Sequence, residues 1–559
     1  MNDTALKRRI PAYIGVGLAI LFATFLMAHT LSYNSTRHEI KIATKLWSDF
    51  GAHLPLVRSF SQGDNLNRII RGQPVESPLF PGEPIRYHFG FYAIAGFLEK
   101  MGARIDWAIN IPSIIGFAGL LIMTFLLSNV LFNNIRVSIL SILFFLFNGS
   151  LSFARFFQNH PLSLMSPVDI ITNNIFPAFG PWDNGNITAF WTLNIYTNQR
   201  HLAMSYGLLL ILLYLLYKPA RNMRITGLVA GAVVSMLLFI NYAVASIAAL
   251  WLSWIFISHK ALRSGLLITA GMGLIAFVIL NTLSNVSSVI TWQPGYLAGQ
   301  PLTLVSFITF WIENIGLHTM LMPLGILLSP RKVKKFLAPP LLIIFIVANL
   351  YKFSPDMINN HKYFNFFLII GNMFTAYAMI KILSWCGHIS VSMLKKPLQL
   401  FVGSALMVLL TLSGIIDFFP VFNDPKGAVA DIRANHDAQF FADRTKKSDT
   451  VANTTWFYHP ASIAGRPLLS GYTYFTWSYG YDQTTRETSL KRIYEAPDKQ
   501  SLCTELKESG VSWIELNTQP ESYLHPHWEL WNSLPHVYIN PSSLLKIYET
   551  ERICSYDTP

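Results

Sequence analysis

The fold class predicted for this 559-residue chain is a polytopic all-α membrane protein of about eleven transmembrane helices, with a small extracytoplasmic α/β domain at its C-terminal end. Three observations predict it. Only 13% of the residues are charged while 52% are apolar, whereas a soluble domain carries about a quarter charged residues. Long apolar runs are separated by loops that alternate between basic-rich and basic-poor. The charge balance also changes near Pro420: the chain up to that residue holds 29 Lys/Arg against 13 Asp/Glu, and the remainder holds 13 against 17. A large cytosolic enzyme, a disordered chain and a coiled coil are excluded. Basic residues scattered between apolar runs also argue against a nucleic-acid partner, which would need them gathered on one soluble face.

Spans need about 20 apolar residues, and eleven stretches meet or approach that length: 11–31, 109–131, 137–153, 202–217, 225–240, 243–257, 266–280, 302–328, 336–350, 364–383 and 398–418. The fifth and sixth are separated at Asn241-Tyr242, because Arg224 and Lys260 both favour the cytoplasmic side. One set of short loops holds Lys7, Arg8, Arg9, Arg136, Lys218, Arg221, Arg224, Lys260, Arg263, Arg331, Lys332, Lys334, Lys335, Lys395 and Lys396 against the single acid Asp3. The opposite short loops hold only Lys352 and Lys362. The N-terminus is therefore expected in the cytoplasm and the tail outside. Residues 1–420 form the expected transmembrane domain, including outer loops 32–108 and 154–201, and residues 421–559 form the α/β domain. In the tail, 449–456 and 511–516 read as strands with a helix between them. Cys503 and Cys554 both lie there, where oxidation is permitted, and are candidates to pair.

All long polar segments face outside, and no Gly-x-x-x-x-Gly-Lys-Ser/Thr phosphate loop is present. A reactive partner would have to arrive already activated, most simply on a lipid. Residues 40–60 carry apolar residues at Ile42, Leu46, Phe50 and Leu54, the spacing of a helix at the membrane surface. Asp49 and His53 share one face of it. Asp49 is either a general base or acceptor orienter, or a solvated acid paired with Lys45 or His53. His53 is a base partner or a surface residue. Pro74, Pro78, Pro81 and Pro84 then lead to Arg86-Tyr87-His88, which opens a second helix over 89–98.

Cations on the outer face suit a leaving phosphate: Arg86 and His88, Arg200 and His201, His361 and Lys362. Arg200 and Lys362 abut spans on the side where basic residues are disfavoured, which phosphate binding or snorkelling explains. Glu313 lies inside the eighth span, with His318 five residues on, either as a functional intramembrane acid or as a neutral buried carboxyl. Asp356 either holds a metal with Asp49 or positions Lys362. The aromatic, Gly- and Asn-rich residues 179–191 suit sugar stacking or interfacial anchoring, and the aromatic stretch 468–481 suits an acceptor-facing loop or a cap.

Trp47-Ser48-Asp49-Phe50 with His53, and the Pro81–Tyr92 segment PGEPIRYHFGFY, resemble motifs of GT-C integral-membrane glycosyltransferases, in a bacterial and archaeal branch of that superfamily. The tail segment His459–Asp482 looks like the extracytoplasmic end of the same branch. The resemblance implies an inverting transfer of a sugar from a polyprenyl-phosphate-linked donor to an extracytoplasmic glycan, lipid or protein acceptor. It implies a catalytic acid in the first outer loop, a position that Asp49 matches. Lys362, Arg200, Arg86 and His361 would hold the donor phosphate, and His53, His88, Asp356, Glu313 and His201 would contact substrate. The paired acid frequent in that superfamily is absent, since Ser48 and Phe50 flank Asp49, so Asp49 and Asp356 are only weak ligands for a divalent Mg or Mn. Two rival readings are a transporter or flippase of a lipid-linked glycan and a non-catalytic membrane scaffold.

Overall fold

The computed structural model describes the backbone of residues 3–285, 289–387 and 392–555, and the side chains of 14–285, 289–387 and 396–555. The side chains of Asp3, Lys7, Arg8, Arg9 and Lys395, used above for orientation, lie outside the described residues. Seven helices among the described residues are long and apolar enough to cross a membrane: Ile105–Phe132, Arg200–Tyr217, Met223–Ile240, Lys260–Leu283, Arg331–Leu350, Met357–Cys386 and Lys396–Phe422. The chain is an integral membrane protein. The first expected span lies in the 28-residue helix Asp3–Thr30, whose side chains are described from Ile14, and the third and sixth appear as shorter apolar helices, Ile135–Leu146 and Tyr242–Ser258. The break expected near Asn241 is present, where the Asn241 side chain accepts the Val244 N–H at 3.3 Å and caps the helix that follows.

Two expected spans are corrected. The third is not continuous over 137–153: its helix ends at Leu146, and Ser152–Asn159 is a separate helix. Twelve residues at 1.5 Å rise reach about 18 Å, short of a hydrocarbon core of about 30 Å. The eighth, 302–328, is broken into Leu304–Ile315 and His318–Leu328, bent by 84°. Gly316 makes the break, with φ +51°, and a Cβ there would stand 2.1 Å from the Gly149 carbonyl oxygen. Only glycine fits that approach.

The chain divides into two compact units. The first comprises Met1–Thr30, Ser113–Phe277 and Val289–Pro425. Its core is one large apolar cluster of helix faces, including Phe117, Leu209, Trp251, Phe310 and Phe374. The His318–Leu328 helix lies so close to the His361–Cys386 helix that a Cβ on Gly325 would meet the Phe374 carbonyl oxygen at 2.0 Å. Small residues at helix contacts are what packing in lipid demands, because apolar burial alone gives helices no preference for one another there.

The second unit comprises Leu31–Pro112, Val278–Ser288 and Lys426–Pro559, so the first outer loop is compact with the tail, whereas the sequence reading placed it with the spans. A three-stranded antiparallel sheet joins Leu31–Asn34, Glu39–Ala43 and Lys426–Ala430 in that order. The expected helix over 40–60 is therefore corrected in its first part. Residues 39–43 are a strand whose Ile40 and Ile42 are buried by period-two alternation. The helix itself runs Trp47–Ser61, and every residue from Phe50 onward is buried, so it is a core helix. The tail adds a four-stranded sheet in which Thr450–Ala452 runs parallel to Val511–Leu516, with Gln483–Tyr494 and Lys499–Glu508 among the helices between them in sequence. Cys503 and Cys554 are joined in a disulfide, Cα atoms 5.6 Å apart.

Candidate active site

Asp49 stands in the first turn of the Trp47–Ser61 helix and is half-buried. An acid there faces the partial positive charge of the helix N-terminus. Four phenols lie within reach of its charge: Tyr87, Tyr92, Tyr458 and Tyr479. In each, burial raises the hydroxyl pKa above its ordinary value and the Asp49 carboxylate raises it further. All four therefore stay protonated at neutral pH and surround the carboxylate's charge with neutral phenols, of which Tyr458 donates its proton to the Trp47 carbonyl. Tyr87 and Tyr92 share a hydrogen bond.

The backbone positions of these rings follow from local contacts. Tyr87 stacks on Tyr479 at 4.5 Å and lies 6.2 Å from Tyr92. Tyr458 packs on Trp47 at 4.4 Å and donates to the Trp47 carbonyl at 2.6 Å, tying the tail to the start of the helix that bears Asp49. His53 is buried between Phe50 and Tyr92, 5.8 and 5.1 Å away, which corrects its reading as a surface residue. His88 is buried too, its ring 3.7 Å from Tyr87.

Arg86 is pinned beside the phenols. Its backbone N–H donates to the Tyr481 hydroxyl at 2.9 Å, its guanidinium lies 4.8 Å over the Tyr481 ring, Nη1 donates to the Gly480 carbonyl, and Nη2 meets Glu83 at 3.3 Å. The underside of the Asp49 helix is held by charge. Arg58, 2% exposed, meets Asp431 at 2.6 Å and Glu99 at 3.3 Å, and Ser61 donates to Glu99 at 2.5 Å. Burial raises the Glu99 carboxyl above its usual range, while Arg58 and Ser61 pull it back.

The remaining predicted residues lie in the first unit. Lys362 is buried near the start of the His361–Cys386 helix, with Nζ 3.4 Å from Asn359 Oδ1, and its carbonyl accepts from Tyr206 at 2.5 Å. His361 is buried against Phe190 at 5.4 Å, with Gln199 at 3.3 Å from its Nε2. Arg200 is buried and donates to the Thr197 carbonyl at 2.8 Å, to the Met27 carbonyl at 3.3 Å and to Thr30 Oγ1 at 2.9 Å, closing the end of the first helix. His201 beside it is fully buried. Asp356 caps the turn before Lys362 by accepting the Ile358 N–H at 3.0 Å. Glu313 stands just before the Gly316 break, and its Oε2 is buried without a hydrogen-bond partner among the described residues. His318, just after the break, bonds Thr375 at 3.1 Å.

Sequence reasoning singled out Asp49 without the four phenols within reach of its charge and without the Arg58 network. It also missed Asp417, a buried acid near the end of the last span that accepts from Asn148 and Ser152 at 3.3 Å each. Among the described residues no group of three or more His, Cys, Asp or Glu side chains is placed to hold a metal. A divalent ion at Asp49 or Asp356 therefore finds no donor set among the described residues.

No protein-family model matches the sequence, and no curated protein matches it. Solved structures do share its fold. ArnT from Cupriavidus metallidurans bound to undecaprenyl phosphate aligns over 97% of this chain and 98% of its own, with a TM-score of 0.50 and 9% identity. The same protein in the apo state aligns over 99% and 100%, also at 0.50 and 9%. The Archaeoglobus fulgidus oligosaccharyltransferase tethered to an acceptor peptide aligns over 90% of this chain and 69% of its own, at 0.47 and 11%. The chain is built on the GT-C fold that ArnT shares.

Proposed function

We propose that the protein is an inverting membrane glycosyltransferase that moves a sugar from a polyprenyl-phosphate-linked donor to an extracytoplasmic acceptor. One observation carries the reading: a half-buried carboxylate at the start of a buried helix, with four buried, protonated phenols within reach of its charge. Asp49 takes the proton of the acceptor hydroxyl as its oxygen bonds the anomeric carbon, and the lipid phosphate leaves from the opposite face. The phenols hydrogen-bond and stack on sugar and keep the carboxylate oriented. His53 and His88 back those rings.

Arg86, next in sequence to Tyr87, supplies positive charge for the departing phosphate. In the membrane unit the same reading gives Lys362 and His361 to the donor's lipid-linked phosphate, with Asp356 setting the turn before them. Arg200, which bonds the end of the first helix, and the buried His201 beside it are further candidates for the donor and substrate. The N-terminus is taken as cytoplasmic and the site as extracytoplasmic, as the basic-rich and basic-poor loops indicate.

A second reading rests on its own observation. An 84° break inside an apolar span, flanked by Glu313 and His318, is also what a path for a polar headgroup across the membrane needs. The test is purified protein with polyprenyl-phosphate hexoses, in detergent and in vesicles. Transfer or donor hydrolysis lost in Asp49→Asn supports the enzyme. Headgroup movement without turnover, unaffected by Asp49→Asn but lost in Glu313→Gln, supports the flippase.

A further inference from the structure

We infer that residues 160–182 form an in-plane membrane element, a non-spanning stretch that lies in one leaflet with Leu162, Leu164, Met165, Val168, Ile171 and Ile175 among the lipid chains. Between Pro161 and Trp182 the sequence holds one charged residue, Asp169. Its apolar side chains point away from the protein: Leu162 is 79% exposed, Leu164 99% and Ile175 71%. In water a run of this kind would be a large unsatisfied apolar patch.

The local structure is built to present it. Ser163 and Ser166 form a tight turn, with the Ser163 N–H donating to Ser166 Oγ at 2.9 Å and the Met165 N–H to Ser163 Oγ at 3.1 Å. Pro167 then starts the seven-residue Ser166–Thr172 helix, and that length cannot cross a bilayer. The displayed leucines are thus the product of a folded turn.

The depth is set by a neighbour. Asn423, the residue after the last spanning helix, donates through Nδ2 to the carbonyls of Ile171 and Asn173, both at 2.8 Å. The stretch is thereby tied to the level at which a membrane-crossing helix leaves the hydrocarbon. At its far end Phe179 and Trp182 pack at 5.1 Å and remain partly exposed, the residue types that settle at the headgroup boundary. Apolar tip, aromatic shoulder and an anchor at a span terminus together fit a lipid leaflet as the occupant.

The test is depth-dependent quenching in the full-length protein. Cys386 is replaced by Ser, and single cysteines at Leu164, Leu274 and Asn184 are labelled with an environment-sensitive fluorophore. The labelled proteins are placed in vesicles of phosphatidylcholine with a minor share of phosphatidylglycerol. Leu274 faces outward from a spanning helix, and Asn184 is an exposed polar position just past the element. The Leu164 probe is expected to emit blue of the Asn184 probe. Spin-labelled lipid carrying its label near the headgroup should quench it at least twofold more than a label near the chain end, a ratio reversed for Leu274. Water-like emission at Leu164 with iodide quenching equal to that at Asn184 would overturn the inference. So would a blue-shifted Leu164 probe that lipid spin labels leave untouched and that depends on protein density, which assigns the surface to a second copy of the chain.

Discussion

Replacing Arg58 by Met should destabilise the second unit strongly and in a pH-dependent way. Arg58 serves two carboxylates with side chains 14% and 7% exposed, Asp431 and Glu99. Removing one partner of a buried ion pair costs about 3–5 kcal/mol because the remaining charge is stranded. Asp431 keeps Tyr33 at 3.2 Å and Glu99 keeps Ser61, which puts the expectation near the lower bound, about 3 kcal/mol. For a unit of this size each kcal/mol moves the melting midpoint by about 2–4 °C, so a fall of roughly 6–12 °C is expected. The sign with pH follows from Glu99. Its folded pKa is already raised by burial, with Arg58 the larger of the two influences opposing that rise, so loss of Arg58 raises it further above the unfolded value. A raised carboxyl contributes stability that is complete below the unfolded value, about 4.3, and is lost as pH rises through the folded one. The gap between native protein and Arg58→Met should therefore be small near pH 4 and widen toward pH 8. Thermal unfolding in detergent across that range measures it, with Glu99→Gln in the Arg58→Met background recovering part of the loss at pH 8. A pH-independent gap, or a midpoint within 2 °C of the native protein at pH 8, refutes the reasoning.

Asp49→Asn should lower transfer by at least about 100-fold, the usual contribution of a positioned base, while the melting midpoint stays within 2 °C; a steady-state assay beside a thermal scan checks both. Tyr479→Phe keeps the stack on Tyr87 but removes a donor, so kcat should fall more than KM rises, by about tenfold, the equivalent of one hydrogen bond. Cys503→Ser opens a link across 51 residues, and chain entropy for a loop that long is about 4 kcal/mol, so denaturant unfolding of the full chain should begin earlier at the tail, read by hydrogen exchange over 499–516. Gly316→Ala forces a Cβ to 2.1 Å from the Gly149 oxygen and should lower expression or thermal stability far more than Gly271→Ala, where a Cβ meets nothing within 4 Å.

What the sequence disclosed, and what it hid, divides by range. Apolar runs identify most spans because bilayer thickness is a local demand on about 20 consecutive residues. The Asn241 break was legible as well, since a polar cap flanked by basic loops leaves a local mark. The Gly316 break was not, because both half-helices are apolar and the reason for the bend is a carbonyl 167 residues away in sequence, at Gly149. The strand at 39–43 carried its own alternation in Ile40 and Ile42, but a four-residue period also fits Ile42 and Leu46, and its partner strand starts at Lys426. Asp49 was visible as an acid on a helix face. Of its four phenols, Tyr87, Tyr92 and Tyr479 sat in flagged segments, while Tyr458 lay just outside one, and that the two tail residues lie near Asp49 could be assigned only by folding.

That last point separates the two non-transport readings. Two of the four phenols around Asp49 belong to the tail, and the strand Lys426–Ala430 completes the sheet that precedes the Asp49 helix. Tail deletion must therefore abolish function whether the protein is an enzyme or a scaffold, and that experiment cannot choose between them. A conservative pair can. Asp49→Asn and Tyr479→Phe leave the fold and every docking surface in place and alter only one charge and one hydroxyl. A scaffold would tolerate both. An enzyme built on this carboxylate should lose turnover with the first, and in the second should lose it chiefly in kcat, because a phenol that orients the base acts on the transition state more than on ground-state binding.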